Sequence, residues 1–410
     1  MTHGAQVGEH TAQYFIDLEH HYGAHNYHPI DVVIHEGKGV WVTDVEGKRY
    51  LDCLSAYSAV NQGHAHPRIL QAMIEQAGRV TLTARAFRND QLGLFYKELA
   101  ELTGYQRVLP MNSGAEAVET AIKLARKWGY KIKGVPDGKQ EIIVCDGNFH
   151  GRTTTIISFS SEPQYKEGFG PLTGGFKSIP YGNAEALEAA ITPHTVAFLV
   201  EPIQGENGVI VPPEWYLKQV ANICRKHNVL LINDEIQTGL GRSGRMFVQN
   251  YEDVHADIMI LGKALSGGFY PVSAIVADDP VMNVFQPGDH GSTFGGNPLA
   301  AAIARAALKV IHEEDLPHNA DMMGTYFREQ LEEINSPLIK EVRGRGLLIG
   351  VEMLPSAGGA RRFVEALKDR GVLSKETHVH TVRFAPPLVI KQEEIDWAME
   401  RIRPVLLGQF

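Results

Sequence analysis

The chain has 410 residues, of which 44% are hydrophobic and 21% charged, and these proportions are typical of a soluble globular protein with two or more domains. The net charge of −9 argues against non-specific binding to nucleic acid, and no apolar run is long enough to cross a membrane. Three scattered cysteines without a C-x-x-C pair predict no disulfide framework and favour a reducing compartment.

The N-terminal segment carries no recognisable targeting signal. Residues 1–6 lack an apolar signal core and an arginine-rich leader, so we expect a cytoplasmic protein, although a processed organellar protein would look the same. Four histidines, His20, His21, His25 and His28, cluster shortly afterwards. Because they have neither a neighbouring cysteine nor a paired ligand spacing, no metal site is predicted there.

A small antiparallel meander is predicted over residues 32–54, where short alternating stretches are separated by glycine-containing turns. Tyr27 and Tyr57 bracket this meander, and the sequence pattern alone favours packing of each ring with its hydroxyl at the surface. From about residue 65 the pattern changes to helices alternating with short apolar strands. That alternation is typical of a parallel α/β sheet covered by helices.

A helix start is predicted at Ser113, because Ser113 and Glu116 have the spacing of a capping box. Gly114 would let backbone amides approach a ligand closely, and the N-terminus of a helix attracts anions. A plain capped helix is the simpler interpretation of these residues by themselves. The interpretation as a phosphate site gains weight only together with Lys263.

Two predicted strands end in loops with polar and aromatic residues, at the edge where α/β sheets place their chemistry. The first loop contains Phe149, His150 and Arg152, and the second contains Glu201 and Glu206. Phe149 is suited to cover a cofactor ring, whereas Arg152 is equally consistent with a surface cation. We interpret the two glutamates as site residues, although surface glutamates are common.

Asp234 and Lys263 are the pair around which the other predictions are organised. Each lies at the end of a short apolar run of the kind that forms a buried strand, and their spacing allows one crossover and a return strand. A buried carboxylate and a buried ammonium are both costly without a partner. A cofactor between them would explain both, with the carboxylate facing a pyridinium nitrogen and the amine facing an aldehyde. Pyridoxal 5′-phosphate needs that pair.

The glycines Gly239, Gly241 and Gly244 match the G-x-G-x-x-G pattern of dinucleotide-binding proteins. Such a site requires a helix directly after the glycines and an acidic residue about 20 positions further on. Here a poor helix start follows, and Lys263 stands near the acidic position. The match is therefore interpreted as accidental, and the glycines as a turn.

The last third of the chain predicts the end of the sheet and a second α+β unit. A strand over residues 272–277 precedes a loop rich in hydroxyls and exposed amides, suited to an anion, and a long helix over residues 299–313 leads out of the sheet. Residues 344–351 are predicted as one strand. Arg383 lies between apolar residues, where an arginine needs a carboxylate partner from the protein or from a substrate.

These elements predict an α/β protein with two parts. A large domain over residues 61–298 contains a mostly parallel mixed sheet flanked by helices. A smaller α+β domain combines an N-terminal segment, residues 1–60, with the C-terminal residues 299–410.

The same residues, in this order, resemble the subgroup III, fold-type I pyridoxal-phosphate aminotransferases, from about residue 20 to the end. Within that family the chain is most similar to the enzymes that use ornithine, on the motifs at residues 22–29 and 55–64. The most specific family motifs are Asn112-Ser113-Gly114-Ala115-Glu116-Ala117, Asn148-Phe149-His150-Gly151-Arg152-Thr153, Glu201-Pro202-Ile203-Gln204-Gly205-Glu206, Asp234-Glu235-Ile236-Gln237-Thr238-Gly239, Leu261-Gly262-Lys263-Ala264 and Gly291-Ser292-Thr293-Phe294-Gly295-Gly296-Asn297-Pro298. Asn233 and Asn207 depart from the small apolar residues expected at those positions.

The resemblance implies how the cofactor is bound. Lys263 would bind its aldehyde and later move the proton, and Asp234 would keep the ring nitrogen protonated. Gln237 would bind the phenolic oxygen and Phe149 would stack on the ring. The resemblance further implies a homodimer or higher homo-oligomer with shared active sites. The phosphate would be held by Ser113, Gly114 and Ala115, together with Thr293 from the partner subunit.

The resemblance also implies two alternating substrates, L-ornithine and 2-oxoglutarate. Arg152 would bind the distal carboxylate of the oxo acid and Arg383 its α-carboxylate, while Glu206 would neutralise Arg383 whenever ornithine is bound. Tyr27 and Tyr57 would contact the α-amino and α-carboxylate groups of ornithine.

Four alternatives remain open. They are an enzyme of the same family acting on N-acetylornithine, one acting on 4-aminobutyrate, an NAD-dependent dehydrogenase, and an interaction protein that reuses the fold. The role of His150 is undecided.

Overall fold

The protein is described here by a computed structural model that covers residues 11–410; the prediction about a targeting signal falls on residues 1–6, outside that range. The strands of this part of the chain are β1 (Ile34–Lys38), β2 (Trp41–Asp44), β3 (Arg49–Asp52), β4 (Arg107–Met111), β5 (Glu141–Cys145), β6 (Phe176–Ile179), β7 (Thr195–Val200), β8 (Leu230–Asp234), β9 (Ile258–Leu261), β10 (Ser273–Ala277), β11 (Ile339–Arg345), β12 (Leu348–Met353), β13 (Val372–Leu373), β14 (Lys375–Thr377) and β15 (Thr381–Phe384). The main helices are Ala12–Tyr22, Pro67–Ala77, Leu92–Thr103, Gly114–Trp128, Thr154–Ser158, Ala184–Ala190, Tyr216–Lys226, Asp279–Met282, Pro298–Glu313, Leu316–Glu332, Arg361–Asp369 and Gln392–Leu406.

Seven strands form the central sheet in the order β4-β10-β9-β8-β7-β5-β6. The pairs from β6 through β9 are parallel, whereas β10 runs antiparallel to both β9 and β4. The predicted α/β class with a mostly parallel, mixed sheet is therefore confirmed.

The central strands are buried on both faces, and their residues are therefore mostly apolar. All residues of β7, β8, β9 and β10 are buried. The helix Gly114–Trp128 packs on one face of the sheet, and the helix Tyr216–Lys226 packs on the other. The polar groups that end these strands consequently emerge together at one edge of the sheet.

A four-stranded sheet contains the predicted meander, in which β1 pairs with β2 and β2 with β3, both antiparallel. Its fourth strand is β13, which pairs parallel to β3, so residues from both ends of the chain share this sheet. The segments at both ends thus contribute to one unit outside the central sheet. The domain boundaries at residues 60 and 298 stay predictions.

The third sheet has the order β11-β12-β15-β14 and is called the C-terminal sheet below. The prediction of one strand over residues 344–351 is wrong, because Gly346 and Leu347 form the turn of a hairpin between β11 and β12. Gly346 has a φ of +54°, and a Cβ there would lie 2.3 Å from the carbonyl carbon of Ser243. The glycine therefore allows both the turn and the close approach of the neighbouring loop.

None of the helices within residues 11–410 combines the length and the apolar character that crossing a bilayer requires. In the histidine-rich segment, Nε2 of His25 makes a 2.9 Å hydrogen bond with the backbone oxygen of His20. Over the same described range, no group of three or more metal-binding side chains is arranged to hold an ion.

Candidate active site

A cavity of about 210 Å³ opens at the carboxyl ends of the parallel strands. Several loops that the sequence singled out converge on it: the residues after β5, β7, β8 and β9 and the start of the helix Gly114–Trp128. Its lining residues are Gly114, Ala115, Phe149, His150, Gly151, Glu201, Ile203, Glu206, Asp234, Ile236, Gln237, Thr238 and Lys263. The carboxyl edge of a parallel sheet is the usual place for a ligand in this fold class.

Asp234, the last residue of β8, is buried and directed into the cavity. Its Oδ2 atom lies 2.7 Å from Nδ1 of the fully buried His150, and its Oδ1 accepts a hydrogen bond from the backbone of Ile236. Burial would lower the pKa of His150, but the hydrogen bond and the charge of Asp234 raise it. The histidine therefore fixes the orientation of the Asp234 carboxylate, a role that the sequence left undecided.

Lys263 lies at the start of the short 3-10 turn Lys263–Ser266, directly after β9 and Gly262. Because β8 and β9 are adjacent parallel strands, Lys263 and Asp234 face the same cavity, as their spacing predicted. No hydrogen bond or ion pair joins Nζ of Lys263 to another residue of the described chain. Burial lowers the pKa of this amine, and the charge of Glu206 opposes that shift. The amine is thus free to react with a ligand.

The helix Gly114–Trp128 begins at the cavity, and the predicted capping box is confirmed: Ser113 Oγ accepts a hydrogen bond from the amide of Glu116. Gly114 and Ala115 line the cavity, where the first amides of the helix can bind an anion. The side chain of Ser113 is exposed and already used by the cap. A Cβ at Gly114 would lie 3.1 Å from the side chain of Ile236, so the glycine permits this close packing.

Glu206 is held between two partners at the side of the cavity. Its Oε1 accepts hydrogen bonds from Nη1 of Arg383 at 2.6 Å and from Nε2 of Gln237 at 3.0 Å. Burial would raise the pKa of Glu206, but the charges of Arg383 and Lys263 lower it to about 2. Gly205 permits the contact, because a Cβ there would lie 1.5 Å from Oε1 of Gln237.

Arg383, on β15 of the C-terminal sheet, is 1% exposed and is only partly satisfied by Glu206. Its Nε and Nη2 atoms are buried and have no hydrogen-bond partner anywhere in residues 11–410. Unsatisfied buried donors on a cation are costly, and two neighbouring guanidinium N–H groups match a carboxylate in geometry and charge. The ring centroid of Tyr57 lies 5.5 Å from the guanidinium carbon. This corner is therefore prepared for a carboxylate ligand.

Tyr57 belongs to a turn with an unusual backbone. The four consecutive residues Ser55–Ser58 have φ values between +46° and +71°, which is the left-handed region. The fully buried Arg242 holds the turn, because its Nη2 donates to Ser55 Oγ at 2.9 Å and to Asn61 Oδ1 at 2.7 Å. Its Nη1 donates to the carbonyl oxygens of Leu347 and Pro386. Burial lowers the pKa of Arg242 to about 9. This link was not expected from the glycine pattern around residue 242.

Arg152 is exposed at the rim of the cavity and lies on an aromatic residue that the sequence did not indicate. Its guanidinium carbon is 3.9 Å from the ring centroid of Tyr165 and 5.7 Å from that of Phe149. The two rings meet edge to face at 6.4 Å. Stacking on Tyr165 limits the positions that the Arg152 guanidinium can adopt. A tyrosine in a polar loop gives no local signal of this kind.

Six predicted site residues are not part of the cavity lining: Tyr27, Tyr57, Ser113, Arg152, Thr293 and Arg383. Tyr27 is 75% exposed and borders a neighbouring groove beside the helix Ala12–Tyr22, although it is near enough to Tyr57 and Tyr165 to raise the pKa of both. Burial raises the pKa of Tyr57 and of Tyr165 more than Tyr27 does. Thr293 is exposed in the loop before the helix Pro298–Glu313. Their predicted roles stay predictions.

The two residues that depart from the family pattern are both in polar contacts. Asn207 donates from Nδ2 to Gln204 Oε1 at 2.9 Å, and Gln204 in turn donates to the carbonyl of Asp146. These bonds join the loop of Glu206 to the loop of Phe149. Asn233 is fully buried beside Gln249, on the side of β8 away from Asp234. Neither asparagine obstructs the cavity.

The glycine-rich segment at residues 239–244 forms turns, and the element that follows is the short 3-10 turn Val248–Tyr251. A dinucleotide site of the predicted type needs a helix opening at the glycines. Arg242 of this segment instead donates hydrogen bonds to Ser55 near the N-terminus and to the carbonyl oxygen of Leu347 in the C-terminal part of the chain. The interpretation of these glycines as a turn is confirmed.

The buried carboxyl group of Glu201 should make the stability of the protein depend on pH. Burial raises the pKa of this carboxyl to about 8 from 4.5, against the opposing charge of His150 and a hydrogen bond from the amide of Phe149. Between those pH values the unfolded chain loses the proton and the folded chain keeps it, so stability falls as the pH rises. Glu201→Gln keeps an acceptor for the Phe149 amide but does not titrate.

We therefore expect the free energy of unfolding of Glu201→Gln, relative to the parent protein, to increase by at least about 1 kcal/mol between pH 5 and pH 9. Urea unfolding of the cofactor-free proteins at both pH values measures it. An equal difference at the two pH values would contradict the raised pKa.

The residues around the cavity fit pyridoxal phosphate. A buried acid faces a reactive amine across the cavity, a helix N-terminus offers amides to a phosphate, and Phe149 lines the wall. Gln237 Oε1 and His150 Nε2 are buried and unpartnered within the described residues, so the cavity still holds polar atoms that a polar ligand can satisfy. This donor set matches a charged aromatic aldehyde better than a metal ion or a nucleotide.

The family model for class-III aminotransferases matches residues 22–406 of the chain. The ornithine aminotransferase of Geobacillus sp. (strain WCH70) is 60% identical over 393 residues, which cover 96% of this chain and 98% of that relative. The match thus extends over the central sheet and both smaller sheets.

Two solved structures have a very similar fold. The ornithine aminotransferase of Toxoplasma gondii, described with partial occupancy of pyridoxal phosphate at its active site, has a TM-score of 0.96, 48% identity, and coverage of 97% of this chain and 94% of that chain. The acetylornithine aminotransferase of Elizabethkingia anophelis has a TM-score of 0.89, 48% identity, and coverage of 97% and 100%. Fold similarity alone therefore does not separate these two substrates.

Proposed function

The chain belongs to the class-III aminotransferases, which depend on pyridoxal phosphate, and from that membership we propose that it transfers the terminal amino group of L-ornithine to 2-oxoglutarate. The products are L-glutamate 5-semialdehyde and L-glutamate, and the semialdehyde cyclises without catalysis to pyrroline-5-carboxylate. The observation that carries the proposal is the corner formed by Arg383 and Glu206, since it can present either a free or a neutralised cation to the ligand.

The cofactor would be held by residues of this chain at three points. Asp234 would face the ring nitrogen, with His150 holding the carboxylate in place. The amides of Gly114 and Ala115 would bind the phosphate, and Phe149 would lie against the ring. When bound, pyridoxal phosphate supplies an aldehyde that takes up the amino group and a ring that withdraws electrons from the reacting carbon.

Lys263 is assigned the proton transfer. Its Nζ removes the proton from the reacting carbon of the amino donor, and the lowered pKa keeps a larger fraction of the amine unprotonated and able to do so. The charge of the neighbouring Glu206 opposes this lowering of the Lys263 pKa.

The two substrates require opposite states of Arg383. The reacting carbon of ornithine carries no carboxylate, so Glu206 stays on Arg383 and neutralises it. Glutamate presents an α-carboxylate, which binds the free Nε and Nη2 donors while Glu206 moves aside. Arg152, positioned by Tyr165, binds the distal carboxylate of glutamate or 2-oxoglutarate. Tyr27 and Tyr57 contact the α-amino and α-carboxylate end of ornithine.

We also propose that the protein forms a homo-oligomer and that it is located in the cytoplasm. The exposed Thr293 lies outside the cavity of its own chain, which supports a homodimer or larger assembly in which Thr293 of one subunit reaches the phosphate site of the other. The substrates are small molecules, and neither nucleic acid nor a membrane is part of the reaction. The cytoplasm stays the predicted compartment.

The second candidate donor is N-acetylornithine, which the similarity to the Elizabethkingia anophelis enzyme brings into consideration. An acetylated α-amine has no charge for Tyr27 and Tyr57 to recognise. We therefore expect kcat/KM for ornithine to exceed that for N-acetylornithine by at least about tenfold, a difference of about 1.4 kcal/mol in transition-state binding. Half-reactions followed by the spectrum of the bound cofactor measure both donors, with 4-aminobutyrate as a third. A preference for the acetylated donor would overturn the proposal.

A further inference from the structure

The loop that carries Glu206 is built as a joint between the central sheet and the C-terminal sheet. It leaves the end of β7 and returns through a pair of backbone hydrogen bonds between Gln204 and Ile210, at 3.1 and 3.0 Å. At its tip, Gly208 and Val209 both have positive φ, +103° and +57°. A non-glycine residue in that region is strained, so outside contacts must hold the tip in place.

Arg343, on β11 of the C-terminal sheet, makes those contacts. Its Nε lies 3.0 Å from the carbonyl oxygen of Gly208 and 3.1 Å from that of Val209, and its Nη2 lies 2.7 Å from the Gly208 oxygen. Its charge is compensated on the other side, where Nη1 bonds to Glu341 and Glu352. The side chain is only 11% exposed. The guanidinium group of Arg343 is therefore neutralised by two carboxylates on one side and bonded to the carbonyl oxygens of the loop tip on the other.

The backbone next to these contacts is fixed as well. Thr377 Oγ1, on β14, donates to the carbonyl oxygen of Glu206 at 2.6 Å. A Cβ at Gly350 of β12 would lie 3.0 Å from Cβ of Val209, so the loop tip lies directly on the sheet. The main chain on both sides of Glu206 is thus immobilised, and only its side chain is left to move between Arg383 and another position.

We propose that Arg343 is a positioning residue that holds the Glu206 loop on the C-terminal sheet and thereby sets the preference between donors that carry a carboxylate on the reacting carbon and donors that do not. The inference rests on the proposed function of Glu206 as the neutraliser of Arg383. Arg343 does not line the cavity and touches neither substrate nor cofactor, so its effect passes through the loop. With the loop released, Glu206 covers Arg383 less often. Arg383 is then open to an α-carboxylate and repels the terminal ammonium of ornithine.

The test compares both half-reactions of the loaded enzyme in Arg343→Gln, which removes the cation and its fork of donors. The ratio of kcat/KM for glutamate to kcat/KM for ornithine is expected to rise at least about fivefold, mainly through a higher KM for ornithine. Lys340→Gln is the matched control, because Lys340 lies on the same strand and pairs with the same Glu352 at 2.7 Å without contacting the loop. In Lys340→Gln, the ratio of kcat/KM for glutamate to kcat/KM for ornithine should change less than twofold.

A double-mutant cycle separates action through Glu206 from a general effect. In the Glu206→Gln background, adding Arg343→Gln should change the ratio less than twofold. A full fivefold shift in that background would overturn the proposal. So would an equal loss on both donors, or the same shift in Lys340→Gln.

A second readout does not depend on catalysis. Hydrogen exchange of the amides in residues 205–210 of the cofactor-free enzyme should be faster in Arg343→Gln than in the parent and unchanged in Lys340→Gln. Unchanged exchange in both variants would overturn the proposal. If Arg343→Gln does not fold, Arg343→Lys replaces it, since lysine keeps the charge for Glu341 and Glu352 but lacks the planar fork of guanidinium donors. A parent enzyme that fails to react with ornithine would refute the proposed function instead, while the exchange result would still report on the loop.

Discussion

Replacing Lys263 by alanine should abolish transamination, with a loss of at least about 10⁴-fold in the rate of each half-reaction. Alanine removes the amine that faces Asp234 across the cavity, the group assigned to bind the aldehyde and to move the proton. The loss should be equal on ornithine and glutamate, because both donors use the same base. No other lysine lines the cavity formed by the described residues.

Borohydride treatment of the loaded proteins measures the covalent part of this prediction. Reduction should fix pyridoxal phosphate to the parent chain and not to Lys263→Ala. Lys133→Met is the matched control, because burial also lowers the pKa of Lys133, whose Nζ donates to the backbone oxygen of Thr195 far from the cavity. That variant should still be fixed by borohydride. A fixed cofactor or measurable turnover in Lys263→Ala would mean that another lysine does the chemistry.

Replacing Arg383 by methionine should separate the two half-reactions. We expect kcat/KM for 2-oxoglutarate to fall by about 30-fold to 5,000-fold, because truncating one partner of a buried charge pair costs about 2–5 kcal/mol. Ornithine has no carboxylate on its reacting carbon and should lose only about tenfold. The remaining loss on ornithine comes from Glu206, which is left in the cavity wall without its main partner.

Single-turnover kinetics on each half-reaction measure this difference. Arg345→Met is the control, since Arg345 lies on strand β11 of the same sheet and packs on the ring of Tyr251 at 4.5 Å, away from the cavity. It should change either half-reaction less than twofold. Equal losses on 2-oxoglutarate and ornithine in Arg383→Met would show that Arg383 only supports the fold.

The part of the site that sequence patterns predicted is the part built on strands and helix ends. Asp234 and Lys263 lie at the ends of short apolar runs that are typical of buried strands, and adjacent parallel strands bring the two together. The capping box at Ser113 is a local signal of four residues and needs no tertiary information. The meander before residue 54 was predictable for the same reason, because alternation and glycine turns are local.

The remaining parts depend on contacts between distant segments. Tyr165 meets Arg152, and Arg343 meets the Glu206 loop, through side chains that no spacing in the sequence relates to each other. The hairpin turn at Gly346 was mistaken for strand because apolar residues continue past it. In the sequence, Arg242 looks like part of a glycine turn. In the structure it is fully buried, and its guanidinium group is hydrogen-bonded to a distant segment. Local sequence patterns cannot show that a buried polar group finds its hydrogen-bond partner in a distant part of the chain.

The left-handed turn at Ser55–Ser58 determines at which stage of chain synthesis the site around Tyr57 can form. An L-residue in that conformation costs about 1–2 kcal/mol, so the turn is not stable by itself. Ser55 Oγ donates to the carbonyl of Ala385 at 2.7 Å, and the amides of Ala385 and Leu388 donate to Cys53 and Asn61. A nascent chain emerging from the ribosome can complete its central sheet early, but the tyrosine at position 57 acquires its place only after the last strand has been synthesised.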